Sequence, residues 1–151
     1  MKGFRLKPEP DLPASTTILG DWYANLLNFG PQRYVLCLSE HSFFPVILPA
    51  RNSEFPVQLA SYVHPLLLAA GVPAVQALRE AQGMAEFKVG KTASRTALGV
   101  MNDFSISATW AFGHDDLFGI SLWLSETPSG PLKYASPKDR TLQLFSEAMS
   151  G

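Results

Sequence analysis

Arg95, Gly99, Asn102 and Asp103 stand at i, i+4, i+7 and i+8 of the stretch SRTALGVMNDF, residues 94–104. On a helix that spacing puts all four on one face. Arg95 there could stabilise an anion, Asp103 could take a proton as a general base, and Asn102 could offer both a donor and an acceptor. The same residues also suit a packing seam, with Gly99 at a close helix crossing and Arg95 paired to Asp103 or Asp21. Either way the choice is costly. Glycine in a helix interior loses about 1 kcal/mol against alanine, and Asn and Asp compete with the helix through local hydrogen bonds. A face that accepts these losses implies a tertiary reason.

A second stretch, LGDWYANL at 19–26, gathers Gly20, Asp21, Trp22 and Asn25. Gly20 can turn the chain, Asp21 can accept hydrogen bonds, and Trp22 carries a donor on a large apolar body. Asp21, Trp22 and Asn25 are therefore candidates to line a pocket. The plain alternative is a strand entry with Trp22 in the core. GHDDLF, 113–118, holds His114, Asp115 and Asp116, but adjacent positions do not converge on one metal, and helix capping accounts for them better. His41 in a turn and His64 beside Pro65 read as structural or exposed. No nucleophile elbow, phosphate loop, dinucleotide fingerprint or zinc signature occurs, so no metal and no cofactor are expected.

The elements that must position these residues follow from periodicity. Residues 22–29, 33–40 and 43–50 read as three strands separated by short turns, an antiparallel meander, with Pro45 marking an edge or bulge. Leu59, Tyr62, Val63, Leu66, Leu67 and Ala70 then recur at helical spacing, and Pro65 is expected to kink or split that helix. Pro73 opens a second helix that Gly83 closes, and AEFKVG, 85–90, returns to the sheet. Helices from about Ser94 to Trp110 or Phe112, over HDDLFGISLWLSE, 114–126, with Asp115 and Asp116 near its positive end, and after Ser136-Pro137 complete the chain. Residues 7–14, KPEPDLPA, read as a Pro-rich arm, with a short strand before it at Phe4–Lys7. The expected fold is α+β, a small antiparallel sheet covered by four to five helices on one face, in a single domain spanning 1–151.

Bulk composition narrows the partners. Twelve Lys+Arg against thirteen Asp+Glu give a net charge of −1, and Lys88, Lys91 and Arg95 make no basic stripe, so nucleic acid is not expected. Charged residues make up only 17% of a chain with 10 Phe and 3 Trp, which points to apolar surface hidden by a partner, such as a second copy. Cys37 is the lone cysteine and suits a reducing compartment. With neither a leader-like apolar segment nor a membrane span in view, a cytoplasmic location is expected.

LGDWYANL, RTALGVMND and LSETPSGPLKY together resemble a bacterial family of small uncharacterised domains. Its motifs are LGDW-x-AN-like and R-x-x-LG-x-MND-like. Gly20, Asp21, Trp22 and Asn25 match the first, and Arg95, Leu98, Gly99, Met101, Asn102 and Asp103 the second. Thr96-Ala97 and Val100 depart mildly from the second motif. The resemblance runs from Leu19 to the terminal helix and implies no catalytic role. The function expected is a non-enzymatic module that binds a small ligand, another protein or its own copy through Asp21, Trp22, Asn25, Arg95, Asn102 and Asp103. The alternative is a small hydrolase or transferase with Asp103 as general base and Arg95 stabilising an anion.

Overall fold

A computed structural model describes residues 17–29, 31–49, 55–84, 89–90, 95–112, 116–128, 132 and 135–150. The elements run β1 (Trp22–Phe29), β2 (Gln32–Ser39), β3 (Pro45–Pro49), α1 (Phe55–Ala70), α2 (Ala74–Gly83), β4 (Val89–Gly90), α3 (Arg95–Ala111), α4 (Leu117–Ser125) and α5 (Pro137–Ser150). The first three strands form the expected antiparallel meander, with Ala24 opposite Cys37 and Leu36 opposite Ile47. Two-residue β4 adds to β1 in parallel, so the order is β3-β2-β1-β4. The Pro-rich arm, the strand at Phe4–Lys7 and residues 85–88 lie outside the described residues.

Helices cover both faces of the sheet, not one. On β2, Val35 and Cys37 join a core with Leu59, Val63 and Leu66 of α1, Ala77 of α2 and Phe145 of α5. Leu36 and Leu38 join a second core with Val100, Met101 and Phe104 of α3 and Ile120 and Leu124 of α4. Successive strand residues point to opposite faces, so an unbroken apolar run such as VLCL needs cover on both. The one-face expectation missed that signal. All four of these β2 residues are fully buried.

The helix bounds follow local chemistry. Asp116 caps α4, its Oδ1 accepting from Gly119 N at 2.8 Å, and Ser136 Oγ accepts from Asp139 N at 3.1 Å at the start of α5. Pro65 does not split α1, which continues to Ala70. It sits on the exposed side while Leu66 and Leu67 are buried beside it. Packing of those leucines offsets the lost backbone hydrogen bond. Ile47 N of β3 donates to Ser121 Oγ of α4 at 2.9 Å, and that hydroxyl donates to Leu117 O at 2.7 Å, pinning α4 to the strand. Among the described residues no helix is long and apolar enough to cross a membrane.

Candidate functional site

The helix that carries the second motif, α3, buries Ala97, Val100, Met101, Phe104 and Ala108 against the sheet. Every residue of the nominated polar set on α3 points the other way. Arg95, Gly99, Asn102 and Asp103 are all exposed, and they do share one face, as the spacing requires. A Cβ added to Gly99 would meet nothing within 4 Å. The expected close crossing at Gly99 is therefore absent among the described residues. Arg95 forms no ion pair with Asp103 or Asp21 among the described residues.

Extending the same spacing along α3 reaches Ile106 and Trp110, one and two turns beyond Asn102-Asp103. Both lie on the outward side, Ile106 65% and Trp110 79% exposed, and Leu98 flanks them at 43%. The outward stripe is thus cationic at its start, bare at Gly99, polar at Asn102-Asp103 and apolar at its end. The sequence carried this signal, because the period that links 95, 99 and 103 continues to 106 and 110. A solvated helix face is normally polar throughout, so a tryptophan this exposed marks a contact surface.

The first motif builds something different. Trp22 is 1% exposed and belongs to the core under α1, α2 and α5. Asn25 alternates onto the other face of the sheet, where its Oδ1 accepts from Leu26 N at 3.1 Å. Asp21 precedes the strand. Trp22 therefore points to the opposite face from Asn25 and joins neither it nor the outward face of α3 that carries Arg95, Asn102 and Asp103. Gly20 has φ +81°, and a Cβ there would lie 2.6 Å from Glu40 Oε1 and from the His41 ring. The β2–β3 turn sits on that glycine: Glu40 N donates to Asp21 O at 2.8 Å, His41 N to Leu19 O at 3.2 Å, and Asp21 N to Glu40 Oε1 at 3.1 Å. Burial, with the Glu40 and Asp21 carboxylates nearby, raises the Tyr23 phenol above its ordinary range.

Glu80, which sequence reasoning did not single out, holds the same segment from the α2 side. It is 3% exposed, and its carboxylate accepts from Ile18 N at 2.8 Å and Leu19 N at 3.1 Å. Burial pushes its pKa above the ordinary carboxylate value, opposed by those backbone donors, the Thr17 hydroxyl and the His41 charge. A cleft of about 830 Å³ opens beside it, lined by Thr17, Ile18, Gln76, Arg79, Glu80 and Ala148 among others. Glu80 is committed to backbone donors there, and Gln76 Nε2 donates to Phe145 O at 3.1 Å. Arg95, Asn102 and Asp103 take no part in this cleft. No cluster of His, Cys, Asp and Glu suited to a metal occurs among the described residues.

No curated protein matches the chain significantly. A family model described as Domain of unknown function (DUF6933) matches residues 1–140, nearly the whole length. The chain, with its two-faced sheet and its half-polar, half-apolar α3 stripe, belongs to that family.

Proposed function

We propose that this protein is a protein-binding module whose recognition surface is the outward face of α3. The observation that carries the proposal is Trp110, 79% exposed on a well-packed helix, in line with Ile106, Gly99 and Arg95. Tryptophan and arginine are the residue types that most often anchor interfaces. An apolar side chain of that size held in water has no stabilising role in the isolated chain. Asn102 and Asp103 supply hydrogen-bonding groups around the apolar part, as the polar surround of an interface does.

Hydrolase or transferase chemistry through Asp103 and Arg95 gains no support from their surroundings. General acid–base work needs a substrate held within hydrogen-bond reach, whereas both side chains are exposed on the outward side of α3 and neither lines the cleft beside Glu80. The test of the binding reading is a photo-crosslinking residue placed at Ile106 in the producing cell, with Gln143 on exposed α5 as control. A discrete crosslinked product is expected from position 106 and none from 143. Equal, diffuse labelling from both positions refutes the binding role.

A further inference from the structure

The stripe on α3 has a property that a generic docking face does not need: it is complementary to itself. Place a second α3 antiparallel across the first, with a two-fold axis passing between Asn102 and Asp103. Residue 102 then faces 103, residue 99 faces 106, and residue 95 faces 110. Each facing pair makes chemical sense. The Asn102 amide donates to the Asp103 carboxylate of the partner subunit. Ile106 of the partner subunit enters the space over Gly99, where a Cβ would find no atom within 4 Å. The Arg95 guanidinium lies over the indole of the partner subunit's Trp110, a cation–π contact.

Helix electrostatics favours the same arrangement. No basic residue occupies the last turn of α3, so that turn carries no cation of its own against its partial negative charge. Antiparallel docking brings Arg95 of the partner subunit to that end. Two-fold pairing makes each contact twice, as isologous dimers do. It also accounts for the helix-unfriendly residues together: Gly99 as the receiving hole, Asn102 and Asp103 as the pair astride the axis.

We infer that the occupant of the α3 face is a second copy of this chain, docked antiparallel through Arg95–Trp110, Gly99–Ile106 and Asn102–Asp103 contacts across a two-fold axis. The inference rests on the proposed binding role of this face. One 17-residue helix against its copy lies at the small end of specific interfaces, below about 1,200 Å², so the dimer is weak and depends on concentration.

The experiment is sedimentation equilibrium of the full chain from low micromolar to millimolar concentration, for the parent and three variants. Asn102→Lys sets a cation against Asp103 of the partner subunit and tightens the dimer, and Asn102→Asp sets like charges together and loosens it. Each shift is roughly threefold to tenfold, because the axis counts every substitution twice. Trp110→Ala removes the cation–π partner and leaves the chain monomeric over the range. Asn102 and Trp110 are exposed, so thermal melts of the monomers confirm that folding is intact. A parent that stays monomeric, or Asn102→Lys and Asn102→Asp moving the equilibrium the same way, overturns the self-pairing. If the crosslinker at Ile106 then captures a discrete heterologous product, the binding role stands and only its occupant is wrong. If position 106 captures nothing, both fall.

Discussion

Replacing Gly99 by alanine separates the folding of one chain from the pairing of two. Gly99 lies inside α3, is exposed, and is not among the residues with positive φ, which for glycine are Gly20 and Gly71. The added Cβ would touch nothing within 4 Å. The substitution therefore collects the whole propensity difference between glycine and alanine, about 0.8–1.0 kcal/mol, with no steric penalty. For a domain of this size that raises the melting midpoint by roughly 2–4 °C. Urea unfolding reads the free-energy gain and a thermal melt the midpoint, both at low micromolar concentration, where the inferred dimer is dissociated. Gly20→Ala is the built-in contrast. There φ is +81°, and the new methyl would lie 2.6 Å from Glu40 and His41 atoms, so the variant loses stability by at least about 1–2 kcal/mol from the left-handed backbone alone. A Gly99→Ala midpoint that is unchanged or lowered would refute the reasoning, since it would mean that something in the folded chain already occupies that space.

The buried ionisable groups supply two more tests. Glu80 is harder to ionise in the folded chain than in the unfolded one, so the folded state holds its proton to higher pH. Its stabilising contribution is complete below the ordinary value of 4.5 and is lost as pH rises through the raised folded value. Urea midpoints of the parent should fall relative to Glu80→Gln across that window, and parallel curves for the two proteins contradict the assignment. Cys37 is fully buried, and burial alone pushes its thiol up. Native protein should leave it unreacted with an aromatic disulfide reagent, and reaction should appear only with unfolding; rapid native labelling contradicts the packing.

Much of the fold is legible in the sequence because its signals are local. Asp116 and Ser136 mark helix starts by capping chemistry that involves only near neighbours, and Gly83 falls at the last residue of α2, where Met84 is the cap. The three meander strands are visible as apolar runs between turn residues. What misleads is the meaning of those runs: VLCL in β2 and VIL in β3 alternate nothing, and unbroken hydrophobicity in a strand demands cover on both faces. Pro65 misleads for a different reason, since a ring facing solvent beside two buried leucines leaves a helix worth keeping. Glu80 cannot be found from spacing, because its partners Ile18 and Leu19 lie more than sixty positions away. The second motif, taken alone, is a cluster of polar groups. Following its period two more turns reaches Ile106 and Trp110, which change a polar patch into an amphipathic seam. The first motif, in contrast, proves to be a fold device: Trp22 fills the core and Gly20 admits the β2–β3 turn.

The most direct measurement is a series of ¹⁵N–¹H correlation spectra of the full chain from low micromolar to millimolar concentration. Self-pairing through α3 predicts progressive, saturable shifts at the amides of Arg95, Gly99, Asn102, Asp103 and Ile106 and at the Trp110 indole, with the amides of α2 and α5 unmoved. Spectra that do not change over that range, or changes centred on another element, contradict it.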